Sequence, residues 1–156
     1  MKPARYVVPR AVVNRTSEFL QISSREQIEV VVFWSGLVRG LTRRMSHVWL
    51  PKQYSGSGLF MVPGEELFAL NKEIYELGER LLAQVHTHPS LAFHSSTDSE
   101  FAVTDMEGGL SVVVPEFGRV QVDSLEECAF FVFERRAWRE LPKTEAAERV
   151  SFESGP

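Results

Sequence analysis

The sequence predicts a single α/β domain, a central mixed β-sheet flanked by helices. Three observations lead there. Short runs rich in Val, Ile and Phe alternate with segments whose apolar residues recur at three- and four-residue steps. The chain has 156 residues, enough for one real core. Its hydrophobic fraction of 44%, with eleven Phe, supplies that core.

Taken in order, Tyr6-Val7-Val8 reads as a short strand, and Ala11 to Ile22 places Val12, Phe19 and Leu20 along one helical face. Ile28 to Val38 is a long apolar strand and Arg44 to Leu50 a second, joined by a turn around Gly40. Pro51 to Gly58 is polar and rich in Gly and Ser, a loop. Gly64-Glu65-Glu66 opens a helix to about Arg80, with acidic residues at its positive end. Leu67, Leu70, Ile74, Leu77 and Leu81 give that helix an apolar stripe fit to pack on a sheet. Leu82 to His88 is the next strand. A short helical segment follows Asp98 and ends at Gly108-Gly109. Leu110 to Val114 and Ala129 to Phe133 are the closing strands, with Gly118 to Asp123 expected as another between them. The domain is placed at residues 1–141. The stretch 142–156 is polar apart from Val150 and Phe152, either a loose tail or a last helix over Lys143 to Arg149.

The chemistry concentrates in His86-Thr87-His88-Pro89, followed by Ser95 and Asp98. In an extended chain, positions i and i+2 point to one face, so both imidazoles can reach a single metal ion. Pro89 ends the strand because it cannot donate to the ladder. Asp98 then arrives as a third ligand at the start of a helix. Three protein ligands leave a fourth tetrahedral position open, as catalytic zinc sites do and structural ones do not. Taken alone, a His-x-His pair is more often two half-exposed strand histidines. Ser95, within Ser95-Ser96-Thr97-Asp98, has a helix cap as its simpler alternative role. His94 as a fourth ligand would close the open position and reads as a loop residue. His47 reads as a strand histidine.

His-x-His-Pro followed by Ser-x-x-Asp resembles the JAMM motif of the JAB/MPN zinc metalloproteases, over roughly Ala4 to Phe133. The resemblance implies the MPN fold, which is cytidine-deaminase-like, and one zinc ion per chain on His86, His88 and Asp98. It also implies a glutamate upstream. Glu29, directly before Val30-Val31-Val32-Phe33-Trp34-Ser35-Gly36, fits that segment, with Glu26 a rival and Glu18 a remote one. Glu29 would act as general base and then general acid, and Ser95 would donate to the developing oxyanion. The activity implied is hydrolysis of the amide after the C-terminal glycine of a ubiquitin-like protein, by deconjugation or precursor processing. The chain looks like the compact prokaryotic, deubiquitinase-like form, whose members sit in ubiquitin-like pathways including anti-phage defence. Processing of a sulfur-carrier protein is the alternative within hydrolysis. A metal-free MPN scaffold that only binds partners is the alternative outside it. An extended substrate tail would add as a strand to an exposed edge, for which Gln53 to Gly58 is the candidate.

Composition sets limits. A net charge of −4 gives no electrostatic reason to expect nucleic acid. Arg39, Arg43 and Arg44 form a local basic cluster, most simply a solvated turn, otherwise a surface for an acidic partner. The single cysteine, Cys128, excludes an internal disulfide framework and reads as a buried thiol in a reducing, cytoplasmic setting. Arg5 and Arg10 interrupt the opening segment, so no signal or membrane span is expected. A homodimer is expected if the Phe-rich terminal strand is left at a sheet edge.

Overall fold

Valine-rich runs take the centre of the molecule because such strands can be buried on both faces. The computed structural model describes residues 2–55, 60–92 and 106–155. Its strands in chain order are β1 (Arg5–Val8), β2 (Val31–Arg39), β3 (Thr42–Trp49), β4 (Tyr54–Ser55), β5 (Phe60–Met61), β6 (Arg80–Thr87), β7 (Leu110–Val114), β8 (Ala129–Glu134), β9 (Ala137–Glu140) and β10 (Val150–Phe152). The helices are α1 (Arg10–Glu26), α2 (Gly64–Glu76) and α3 (Lys143–Arg149). Eight strands form one mixed sheet in the order β10-β1-β3-β2-β6-β7-β8-β9, and β4 pairs with β5 apart from it. Central β6 lies antiparallel to β2 and parallel to β7. The expected mixed α/β architecture is present.

Each face has its own core. On one, α1 lays Val12, Val13 and Leu20 against Val32, Trp34, Val85, Val112 and Phe130. Trp34 Nε1 donates to Thr16 Oγ1 at 2.8 Å, which pins that helix to the sheet. On the other, Leu70 and Ile74 of α2 cover Val31 and Phe33. A third cluster on the sheet gathers Val113, Ala129 and Phe131.

Several elements depart from expectation for local reasons. Helix α1 runs on to Glu26 and ends at Gln27, whose left-handed φ of 56° lets its N–H bond to the Ser23 carbonyl. Strand β2 therefore begins at Val31, and Ile28 to Val30 form its lead-in. Helix α2 stops at Glu76, not near Arg80, because Gly78 turns the chain at φ 73°. Leu81 then joins the α2 cluster from strand β6. The Pro51 to Gly58 loop contains β4, with Tyr54 paired to Met61 and Ser55 to Phe60. Gly118 to Asp123 is not a strand, since Glu116, Phe117 and Gly118 all take positive φ and curl into a 3₁₀ turn. The Phe-rich β8 is not at an edge: β9 covers it, and the edges are β9 and β10. Within residues 142–156, Lys143–Arg149 is helical and Val150–Phe152 pairs parallel to β1. The helix expected after Asp98 lies outside the described residues up to position 105. Among the described residues, no helix is long and apolar enough to cross a membrane.

Candidate metal centre

Strand pairing brings the histidine strand and the glutamate segment together. Val31 pairs with His86, and one step further the Thr87 N–H donates to the Val30 carbonyl at 3.0 Å. Continuing the same antiparallel register sets Glu29 opposite His88. Directly opposed residues and alternate residues share a face. Glu29, Val31, His86 and His88 therefore lie on one side of the sheet. That side is closed: His86 is 0% exposed, His88 3% and Glu29 5%. The two imidazole centroids are 5.1 Å apart with planes tilted by 52°. At metal–nitrogen distances of about 2.0–2.1 Å, both rings can reach one ion. Val113, which pairs with His86 from β7, adds an apolar flank.

The opposite face holds this end of the sheet in place. The Val30 N–H donates to Thr87 Oγ1 at 3.0 Å. Thr87 Oγ1 is 2.7 Å from Ser23 Oγ, and Ser23 in turn donates to the Ile28 carbonyl. With the Ser23 proton committed to Ile28, Thr87 is the donor between the two hydroxyls. This chain ties the end of α1, the lead-in that carries Glu29 and the strand that carries the histidines. Gln53 works on the other edge of β2: its Oε1 accepts from Val31 N–H at 2.8 Å and its Nε2 donates to Val31 O at 2.9 Å. One side-chain amide thus substitutes for a neighbouring strand past the end of β3. Beyond the strand, His88 N–H donates to Val114 O at 2.9 Å and Phe117 N–H to His88 O at 2.7 Å. Gly118 closes this corner. A Cβ there would sit 3.1 Å from Leu20 Cβ and from Thr87 Cγ2, at a φ of 75°.

Thr87, Ser23 and Gln53 were not legible as positioning residues. The one signal was the placement of Thr87 between two candidate ligands, hence on the reverse face. Of the predicted residues, Ser95 and Asp98 lie outside the described residues, as do His94 and positions 56–58 of the candidate edge. Among the described residues, no three His, Cys, Asp or Glu side chains form a group that could hold a metal ion. Neither rival glutamate joins the histidines. Glu18 is in α1 and pairs with Arg15 at 2.7 Å, and Glu26 is exposed at the helix end. His47 bonds through Nδ1 to Glu79 at 2.8 Å, away from the site.

A mixed α/β sheet that presents two buried imidazoles and a buried carboxylate on one face belongs to the class of candidate metal-dependent hydrolases. Comparison with known proteins agrees. No family model matches the chain. It is 32% identical over 151 residues to the probable metalloprotease y4jG of Sinorhizobium fredii (strain NBRC 101917 / NGR234), covering 94% of this chain and 93% of that protein. The chain belongs to that metalloprotease family. The solution structure of protein DSY2949 from Desulfitobacterium hafniense shares the fold, with a TM-score of 0.64 at 17% identity over 95% of this chain and 92% of that one.

Proposed function

We propose that this chain is a JAMM-type zinc isopeptidase of MPN fold. Its substrate would be the amide that follows the C-terminal glycine of a ubiquitin-like protein, in a bacterial pathway such as anti-phage defence. The observation that carries the reading is the shared buried face of Glu29, His86 and His88. Neutral imidazoles and carboxylates are the donors zinc prefers, and the pair of rings fits that use. His86, His88 and Asp98 would hold the ion. When bound, it supplies a water acidified to about pKa 7 and polarises the substrate carbonyl. Glu29 accepts the water's proton on its carboxylate and later delivers it to the leaving amine, so one buried residue serves as base and then acid. The Ser95 hydroxyl donates to the carbonyl oxygen as charge develops there. The apolar flank of Val31 and Val113 keeps stray solvent from these groups.

The test pairs metal content with cleavage. Wild type should carry about one zinc per chain and cut a ubiquitin-like fusion. His88→Ala should lose the metal. Glu29→Gln should keep it and lose roughly 10²–10⁴-fold in turnover. A wild type that binds no zinc and cuts neither a linear fusion nor an isopeptide conjugate would overturn the reading in favour of a binding scaffold.

A further inference from the structure

At the end of the sheet away from the histidines lies a cavity of about 310 Å³ whose walls carry a net positive charge. It opens beside Gly108, just before β7, whereas His86 and His88 are at the far end of the neighbouring parallel strand. Four to five residues of strand separate the two, on the order of 15 Å at about 3.3 Å per residue. Five basic side chains line it against three carboxylates, on a chain whose net charge is −4.

The carboxylates are already engaged. Glu134 and Glu145 each pair with both Arg139 and Arg149 at 2.8–3.2 Å. Glu107 accepts the backbone N–H of Arg135 at 3.1 Å. The side chains of Lys2, Arg43 and Arg135 remain: Arg43 donates one N–H to the Glu107 backbone carbonyl at 3.4 Å, and none of the three pairs with a carboxylate among the described residues. Their presentation is built in. Arg135 and Arg136 form the β8–β9 turn at φ 53° and 64°, left-handed positions that such turns usually give to Asn and Gly. Glu107 pins that turn through the Arg135 N–H. The Arg43 guanidinium lies over Gly108, where a Cβ would come within 2.5 Å of it. Tyr6 fixes Gly108 in turn by donating to its carbonyl at 2.7 Å.

We infer that this cavity binds a phosphoryl group. Three cations on three separate segments suit a tetrahedral dianion, whose oxygens point in different directions. A carboxylate carries one charge and two coplanar oxygens, which a single arginine fork satisfies. The site is independent of the metal centre, and its test needs no catalysis. Inorganic phosphate is titrated by calorimetry at constant ionic strength, with malonate as the carboxylate arm. The wild type should bind phosphate saturably and more tightly than malonate. Arg43→Gln with Arg135→Gln should weaken phosphate at least about tenfold, the loss of one to two charge-assisted hydrogen bonds. The single Arg135→Gln change, in an exposed turn, should weaken it severalfold and guards against misfolding of the double variant. Arg44→Gln removes the same charge from a residue paired to Glu153 and should leave binding unchanged. Absence of saturable binding, equal binding by the Arg43/Arg135 variant, or malonate matching phosphate would each overturn the assignment.

Discussion

Thr87 shows how one side chain can serve both faces of a sheet. Its flanking histidines point to the candidate metal site, while its own hydroxyl receives Val30 N–H and donates to Ser23 on the α1 side. Thr87→Val keeps the shape and leaves the buried Val30 N–H and the Ser23 oxygen without that partner. An unmet buried donor costs about 1–3 kcal/mol. Urea unfolding should therefore show a loss of that size for Thr87→Val and a much smaller one for Thr87→Ser. A larger loss for Thr87→Ser than for Thr87→Val would mean that the γ-methyl packing against Gly118, not the hydroxyl, matters. Residue identity singled out the histidines as candidates because their spacing carries chemistry. It could not reveal Thr87, whose role depends on a serine 64 positions earlier in the chain.

At the scale of elements, the lead-in before β2 is where local sequence and tertiary structure meet. The apolar run after Glu29 made the strand readable. The left-handed turn at Gln27 was not, since helices usually end on glycine there. The same holds for the β8–β9 turn, where two arginines take left-handed positions and so hide β9 from a reading based on turn residues. Strands β6, β7 and β8 were legible because both faces are buried and the apolar runs are continuous. Strand β10 is three residues long and is defined by its partner β1. Gln53 is the clearest case of an element completed from outside, because its amide stands in for a missing strand beside Val31. Gln53→Ala should free one N–H and one carbonyl at the start of β2. The expected cost is about 1–3 kcal/mol, with faster amide exchange at Val31 and little change at Val85 in mid-ladder. Equal acceleration at Val31 and at Val85 of the paired strand β6 would show instead that Gln53 supports only global stability.

For the whole molecule, the C-terminal segment closes the sheet at one edge and ties it to the other. Arg149, 4% exposed at the end of α3, donates Nε to the Ala4 carbonyl beside β1 and its two other nitrogens to Glu145 and Glu134. Arg139 of β9 completes the network, so β1, α3, β8 and β9 meet in one set of charges. Hydrogen bonds from Arg139 and Arg149 pull the Glu145 carboxyl from its ordinary 4.5 down to about 2. Burial opposes ionisation of Glu134, but the same two arginines outweigh it and hold that carboxyl low as well. A carboxyl depressed in the folded state contributes stability that is full above its unfolded pKa and is lost as pH falls through the folded one. For Glu145 the window runs from about pH 4.5 down to about 2. The pair is partly exposed and is worth on the order of 1 kcal/mol after screening, or roughly 2–4 °C in Tm for a chain of this size. Thermal melts of wild type should therefore fall more steeply across that window than those of Glu145→Gln, with the two curves offset by that amount near neutral pH and converging at its acidic end. Parallel curves would mean that Glu145 is not the titrating partner and that Arg149 is held by Glu134 and the Ala4 carbonyl alone.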